Sequence, residues 1–286
     1  MEKLSSLHLQ IIHQITECLA PYPQVEAVAV GGSLGGGTGA YDSASDIDLY
    51  VYTRAEIPLE TRHALVERIG GASRADFDLH YWGSGDLLVH APSGIELDLM
   101  YFDAGWMESQ IARVVDDHQP SLGYTTCFWY TVRQSLPFHD ARGWFAGLQQ
   151  QCNVDYPEAL RQNIIRYNHP VLRGIITSYA AQIEKAVQRR DLPGINHRLA
   201  ALLASYFDIL FAFNRRLHPG EKRQLEFALH NCPFLPQNLQ ADLASLLLLS
   251  EADLPHLPGR VNALLDRLDE MLERDGVVIN PLWLGK

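Results

Sequence analysis

Three aspartates in the first part of the chain have the spacing of a metal-binding carboxylate group. Asp46 and Asp48 stand one residue apart at the start of an apolar segment. Side chains of a strand alternate between its two faces, so both carboxylates would project from one face while Ile47 and Leu49 point into the core. Carboxylate oxygens are the ligands that Mg²⁺ prefers, and it takes its remaining ligands from water and substrate phosphates. This segment therefore predicts chemistry on a phosphate-bearing substrate.

A third carboxylate is expected from the alternating segment 95–102, which places Glu96 and Asp98 on one face. Asp76 and Asp78 lie in another plausible strand, and between these choices we favour Asp98. Three carboxylates can hold two metal ions, one activating an attacking hydroxyl and the other stabilising departing pyrophosphate. Glu96 is the reserve candidate for the general base.

A glycine-rich turn precedes the aspartate pair. The segment Val25–Val30 is rich in β-branched residues and predicts a strand that feeds a loop beginning Gly31-Gly32-Ser33. Glycines let backbone N–H groups approach phosphate oxygens without obstruction by a Cβ, and the Ser33 hydroxyl can donate one more hydrogen bond. We expect this loop to hold the phosphates of a nucleotide.

Gly32-Ser33, Asp46-x-Asp48 and Asp98 together resemble the signature of the DNA polymerase β-like nucleotidyltransferase superfamily, over roughly residues 25–102. The resemblance implies that Asp46 and Asp48 bind metal, that Asp98 binds metal and helps to deprotonate the acceptor, and that Gly32 and Ser33 contact phosphate.

The second half of the chain resembles, more loosely, the C-terminal helical bundle of the small-molecule branch of this superfamily, which includes antibiotic nucleotidyltransferases. A lysine of that bundle commonly contacts the triphosphate, and Lys222, in the basic segment 214–223, is the residue that matches. Basic residues at the end of a helix are also favoured by the helix dipole without any ligand.

The elements around these motifs indicate a mixed α/β (α+β) sheet domain followed by an all-α bundle. A helix is expected over 4–19, a strand over 46–52, a helix over 59–69, and strands over 77–82 and 95–102. Helical spacing then dominates from about Trp144, with a long helix through Phe213 that Pro219 and Gly220 would end, and a last helix through Leu272. We place the domains at 1–152 and 153–286, with the active site between them.

Composition limits the partners. A formal net charge of −11 and a pI near 5.5 argue against general affinity for nucleic acid or anionic membranes, which reward clustered Lys and Arg. The four cysteines are scattered and suggest neither disulfides nor a zinc site. With no signal-peptide pattern and no apolar run long enough to span a bilayer, we expect a cytoplasmic protein without membrane association.

Two other functions compete. Gly31-x-Ser33-x-Gly35 also satisfies the nucleophile elbow of serine hydrolases, but more glycines and turn-forming residues follow Ser33 where an elbow would lead into a helix. A catalytically silent nucleotide-binding regulator of the same fold is the second alternative, and the three aspartates argue against it. The glycine-rich stretch is not followed by the helix that a dinucleotide-binding loop needs. It is also not followed by the lysine that a P-loop needs.

The expected reaction transfers a nucleoside monophosphate from an NTP, with ATP the first choice, to an acceptor hydroxyl with release of pyrophosphate. Mg²⁺, as one or two ions, is the expected cofactor. The acidic chain favours a small-molecule acceptor over tRNA or protein. Acidic residues of the helical half, such as Asp155, Glu158 and Asp208, are uninformative about the acceptor. The sequence leaves base preference and oligomeric state open.

Overall fold

The computed structural model describes residues 5–35, 46–81, 83–248 and 250–277, apart from the side chain of Ser33. Within these residues the chain forms two compact units. The first combines the described residues up to Asp116 with Phe128–Val154, and the second combines Asp117–Cys127 with the described residues from Asp155 onward. No helix in the described ranges is long and apolar enough to cross a membrane.

The first unit is built on a mixed six-stranded sheet, which confirms the predicted fold class. Its strands are β1 (Val25–Val30), β2 (Ile47–Thr53), β3 (Ala72–Leu79), β4 (Ser84–His90), β5 (Glu96–Asp103) and β6 (Leu136–His139). The strand order is β3-β4-β5-β2-β1-β6. The central strands β2 and β5 run parallel, and every other pair is antiparallel.

Helices of the first unit cover both faces of the sheet. They are α1 (Ser6–Leu19), α2 (Gly32–Gly35), α3 (Leu59–Arg68), α4 (Ala104–Val115), α5 (Cys127–Gln134) and α6 (Trp144–Cys152). One face carries the main apolar core, where fully buried Ile12 and Ile15 of α1 meet Leu49 of β2 and Leu99 of β5. On the other face the buried ring of Tyr52 lies against Trp144 and Phe145 of α6. The side chains of β2 therefore alternate between two faces of the sheet: one is the apolar core face, and the other carries both apolar and polar residues.

Three strands and a short helix depart from the sequence-based expectations. The strand expected over 77–82 is β3, which runs over Ala72–Leu79, and β4 and β6 were not predicted. β3 is an edge strand whose residues are exposed or half-buried on both faces, so its sequence has no clear alternation to read. The expected loop after β1 begins instead with the one-turn helix α2.

The second unit is helical, as predicted. It contains α7 (Glu158–His169), α8 (Tyr179–Gln188), α9 (Leu192–Phe213), α10 (Gln224–Asn231), α11 (Leu239–Leu247) and α12 (Leu257–Arg274), with a π-helical turn at Pro170–Gly174 and a 3₁₀ turn at Glu251–His256. α9 ends at Phe213, before the expected stop at Pro219 and Gly220. Asn214 caps it, because its side-chain amide donates to the carbonyls of Leu210 and Phe234 at 2.8 and 2.9 Å.

The segment Asp117–Cys127 leaves the first unit and packs into the second. Asp208 of α9 accepts hydrogen bonds from the backbone N–H and the hydroxyl of Thr125, at 3.0 and 2.6 Å. Asn168 of α7 accepts from the N–H of Gly123 and donates to the carbonyl of Ser121. Buried side chains of two helices thus satisfy the polar backbone of this segment, as a buried irregular segment requires.

Candidate active site

Asp48 and Asp98 lie side by side at the centre of the sheet. In the parallel pairing of β2 with β5, Asp48 stands opposite Asp98, so their side chains share a face on strands about 4.8 Å apart. Both residues are half-buried, whereas the neighbouring Ile47 and Leu97 are fully buried on the opposite face. Two carboxylates from strands fifty residues apart in sequence therefore converge on one place.

The other predicted carboxylates of these strands lie at the ends of the same region. Asp46 is exposed and precedes the first residue of β2, outside the paired register. Glu96 is the exposed first residue of β5, two positions before Asp98 and on its face. Among the described residues, no group of three or more His, Cys, Asp or Glu side chains is arranged to hold a metal ion, so Asp46, Asp48 and Asp98 do not form such a group.

The alternative third carboxylates are engaged elsewhere. Asp76 stands opposite Leu87, which in turn stands opposite Asp98, so Asp76 lies two strands, about 10 Å, from Asp98. It forms an exposed ion pair with Arg74. Asp78 accepts a hydrogen bond from Arg62 of α3. The strand register therefore favours Asp98 as the partner of Asp48.

The glycine turn is packed directly against β2. A Cβ on Gly31 would lie 2.0 Å from Cε2 of Tyr50, and a Cβ on Gly32 would lie 1.7 Å from Oδ2 of Asp48. Gly32 also has a φ of +54°, which non-glycine residues rarely adopt. At the end of α2, a Cβ on Gly35 would lie 2.8 Å from the carbonyl oxygen of Val30. Each of these glycines is needed for a close approach.

The backbone N–H groups at the start of this turn have acceptors within the protein. Gly31 donates to the carbonyl of Asp48 at 2.9 Å, and Gly32 forms a backbone hydrogen bond with the hydroxyl of Tyr50. Gly35 donates to the carbonyl of Gly31 at 2.8 Å. The turn is thus bound to β2 by its own N–H groups, which sequence analysis expected to face phosphate.

Tyr50 is a residue of this region that sequence analysis did not single out. It lies two positions after Asp48 on the same face of β2, and this spacing was the available signal. Burial raises the pKa of the Tyr50 phenol well above its ordinary value, the charges of Asp48 and Asp98 raise it further, and the hydrogen bond from Gly32 opposes them. The phenol is therefore neutral at physiological pH and lies close to both carboxylates.

The remaining N-terminal predictions fall partly outside the described structure. The hydroxyl of Ser33 and the whole of residues 36–45 are outside the described residues. They include Gly37 and Ala40 of the relaxed dinucleotide fingerprint Gly35-x-Gly37-x-x-Ala40. The backbone of Ser33 belongs to α2, which is four residues long. A single helical turn is shorter than the helix into which a hydrolase nucleophile elbow leads.

Lys222 is exposed in the turn that precedes α10, in the second unit. Its basic neighbours are partly engaged, because Arg215 pairs with Glu158 and Arg216 donates to the carbonyl of Asn231. In the part of the chain that the structure describes, the Lys222 ammonium has no ion pair or hydrogen bond. Its expected role in triphosphate binding stays a prediction.

Asp208 of the second unit, one of the acidic residues considered for the acceptor, is buried. Asp208 is 1% exposed and binds Thr125, so it cannot meet a substrate at the surface. Desolvation raises the pKa of its carboxyl group to about 7, while the two hydrogen bonds from Thr125 act in the opposite direction. Its role is to hold the segment Asp117–Cys127.

The donor set at the centre of the sheet fits one hard cation. Asp48 and Asp98 offer carboxylate oxygens from adjacent strands, and Mg²⁺ commonly uses one or two carboxylates together with water and substrate phosphates. The space between Gly32 and Asp48 is closed to any side chain, so the carboxylate lies directly against the turn. A complete three-carboxylate site for two ions is not assembled by the described residues.

Comparisons with known proteins give limited similarity. A family model described as a domain of unknown function, DUF4037, matches residues 130–223, less than half of the chain. None of the curated proteins matches the sequence. The chain is similar to the crystal structure of a nucleotidyltransferase-like protein from Exiguobacterium sibiricum 255-15, with 15% identity, a TM-score of 0.44, and coverage of 93% of this chain and 74% of that one.

A second solved structure, an aminoglycoside 6-adenyltransferase from Bacillus subtilis, has 10% identity and a TM-score of 0.34, with coverage of 98% of this chain and 94% of the other. Both TM-scores lie below 0.5, so a functional assignment depends on the carboxylates and the glycine turn of this chain rather than on these similarities.

Proposed function

We propose that this protein is a Mg²⁺-dependent nucleotidyltransferase that moves a nucleoside monophosphate from an NTP to an acceptor hydroxyl. The observation that carries the proposal is the register of the central parallel strands, which pairs Asp48 with Asp98 beside the turn that holds Gly32. The sequence motif around these residues resembles that of the DNA polymerase β-like superfamily and supports the same reaction.

In the proposed reaction, the oxygen of the acceptor attacks the α-phosphorus, the bond between the α- and β-phosphates breaks, and pyrophosphate leaves. A bound Mg²⁺ would supply neutralisation of phosphate charge. Asp48 and Asp98 would hold that ion, and Asp98 would also accept the proton of the attacking hydroxyl, with Glu96 as the other candidate. Asp46 remains a proposed third ligand on the resemblance alone. Most of the rate enhancement would come from positioning and electrostatics.

We propose ATP as the first NTP to test and a small molecule as the favoured acceptor. The net charge of −11 disfavours extended contact with a polyanion, although a tRNA end would need only a small basic patch. Ser33 and Lys222 would contact phosphates.

The first test is label transfer and pyrophosphate release from each α-labelled NTP with Mg²⁺, offering small molecules, tRNA and the protein itself as acceptors. We expect transfer by the unchanged protein and a loss on the order of 100-fold or more in Asp48→Asn and in Asp98→Asn, because each substitution removes a charge that must hold the ion. Asp46→Asn is expected to lose turnover as well.

Asp76→Asn is the matched control, since Asp76 is a carboxylate on the same face of the same sheet but two strands away. It should keep full activity. If Asp48→Asn retains nucleotidyl transfer, the proposed function is wrong. If the unchanged protein binds nucleotide but transfers it to no acceptor, the catalytically silent regulator is favoured.

A further inference from the structure

Tyr50 connects three parts of the candidate site. Its ring lies so close to Gly31 that a Cβ there would be 2.0 Å from Cε2 and 2.7 Å from the hydroxyl oxygen. On the neighbouring strand β1 it stands opposite Ala29, whose small side chain leaves room on this face. The edge-to-face contact with Phe102 of β5, with centroids 5.7 Å apart, holds the ring from the other side.

The hydroxyl of Tyr50 lies where the turn meets the carboxylates. It is bound to the backbone of Gly32, and the charges of both Asp48 and Asp98 act on it. Gly32 is also the residue whose Cα lies against the Asp48 carboxylate. One hydroxyl group is therefore linked to the turn and lies near the two residues proposed to hold the ion.

The rest of the turn has one further tie to β2, the hydrogen bond from the Gly31 N–H to the Asp48 carbonyl. That bond holds the Gly31 N–H, and the carbonyl of the peptide before Gly32 accepts from the Gly35 N–H at 2.8 Å, so the Gly32 N–H is the group of this peptide that still needs an acceptor. Tyr50 supplies the acceptor that holds it. Removal of the hydroxyl takes away one hydrogen bond of the Gly32 N–H, so the turn should be held less firmly against β2.

We infer that Tyr50 is a positioning residue, whose hydroxyl fixes the Gly31-Gly32 turn against Asp48 and Asp98 and so sets the geometry in which the metal–nucleotide complex binds. The inference rests on the proposed function. Tyr50 acts through Gly32 and through the placement of the carboxylates, and it transfers no proton in the reaction.

Tyr50→Phe tests the inference, and Tyr52→Phe is its matched control. Tyr52 lies two residues later on the same strand and face, is fully buried, and has a hydroxyl without a hydrogen-bond partner among the described residues. Both substitutions delete one phenolic oxygen, but only that at Tyr50 removes the hydrogen bond to the turn.

The first readout needs no activity. Amide hydrogen exchange of the segment containing Gly32 should be faster in Tyr50→Phe than in the unchanged protein and in Tyr52→Phe, because the Gly32 N–H has lost its acceptor. Equal protection in all three proteins would show that the hydroxyl does not hold the turn and would overturn the inference.

The second readout is calorimetric binding of Mg²⁺ with the α,β-methylene analogues of the four NTPs, together with steady-state kinetics. Tyr50→Phe should weaken analogue binding and raise KM by roughly 3- to 10-fold, the range that corresponds to one hydrogen bond, while kcat changes little. Tyr52→Phe should match the unchanged protein. If both variants bind the analogue equally well, the inference is wrong and the proposed function stands; if the unchanged protein binds none and transfers nothing, the proposed function falls and the inference with it.

Discussion

At the scale of single residues, the candidate site depends on two glycines that leave no room for a side chain. Gly31 faces the Tyr50 ring and Gly32 faces the Asp48 carboxylate. In each case the contact is with a residue of β2, so any side chain larger than that of glycine in the turn would clash with the strand. A glycine in such a position is required by sterics before any ligand is considered.

Gly32→Ala is expected to disrupt binding of the Mg²⁺–nucleotide complex. The new Cβ would stand 1.7 Å from Asp48 Oδ2, so the carboxylate has to leave the position that it holds opposite Asp98. The positive φ adds a backbone cost of roughly 1–2 kcal/mol to the free energy of folding. Calorimetry with a non-hydrolysable nucleotide and Mg²⁺ measures the binding, and denaturant unfolding measures the stability.

Gly94→Ala separates the two effects. Gly94 also has a positive φ, of +73°, but a Cβ there meets nothing within 4 Å. It should show the backbone cost without a loss of nucleotide binding. Equal nucleotide affinity in Gly32→Ala and Gly94→Ala would mean that the position of the Asp48 carboxylate is unimportant for binding.

At the scale of elements, a buried arginine joins α3 to the outer strands of the sheet. Arg62 is 3% exposed and donates to Asp86 of β4, itself 2% exposed, at 2.8 Å, and to Asp78 of β3 at 2.9 Å. Its guanidinium also lies over the ring of Tyr101, whose hydroxyl donates to Asp86. This cluster explains how β4 carries a polar residue on its core face.

Arg62→Met should lower the free energy of unfolding of the first unit by about 3–5 kcal/mol, because it leaves the Asp86 carboxylate buried without a cation. Adding Asp86→Asn should recover part of this loss by removing the buried charge. Urea unfolding followed by tryptophan fluorescence measures both. Arg68→Met, at an exposed position of the same helix, should have little effect, and a double variant no more stable than Arg62→Met would contradict the charge argument.

The elements also show which sequence patterns can be read locally. Periodic spacing predicted α1 closely, and the strand Val25–Val30 matches β1. One face of α1 is buried, and β1 is buried along its whole length. β3 lacks such a pattern because it is an edge strand, with no buried face. β4 lacks it because the buried charged cluster places Asp86 on its core face. A β-strand without one apolar and one polar face gives no periodic signal.

At the scale of the whole molecule, the path of the chain between the two units is set by buried polar groups of the second unit. The segment Asp117–Cys127 is held there by Asp208, through Thr125, and by Asn168. His218 is fully buried between Tyr124 and Phe211. Its ring Nδ1 accepts a hydrogen bond from the N–H of Gly220, and its backbone N–H donates to the hydroxyl of Thr126.

These groups have opposing effects on stability as a function of pH. Burial raises the pKa of Asp208 from 3.8 to about 7, so its contribution to unfolding free energy decreases as pH rises from about 4 to 7. Burial lowers the pKa of His218 from 6.5 to about 3, so its contribution is complete above pH 6.5 and is lost as pH falls toward 3. Between about pH 4 and 6.5 the two slopes largely cancel.

Asp208→Asn should therefore expose the acid sensitivity due to His218. As pH falls from 7 to 5, the unfolding free energy of the variant should decrease relative to that of the unchanged protein by up to about 1.4 kcal/mol per pH unit. Urea unfolding at several pH values measures this slope. Asp155→Asn, at an exposed position of the same unit, is the control, and a pH slope in Asp208→Asn equal to that of the control would contradict the raised pKa of Asp208.

The sequence by itself determined the elements and motifs whose information is local. Alternation within one strand places Asp48 and Asp98 each on the polar face of its own strand, and helical spacing indicates a bundle after Trp144. Such patterns repeat within a few residues, so neighbouring residues suffice to encode them.

Tertiary structure alone decided which of these faces meet. The pairing of Asp48 with Asp98 depends on the register of strands far apart in sequence, and the contact of Tyr50 with Gly31 depends on how tightly the turn folds back over β2. The same is true of the segment Asp117–Cys127, whose place is chosen by Asp208 some eighty residues away. Register and long-range burial are set by the packing of the whole unit, because many distant side chains must fit at once, and no local period carries that information.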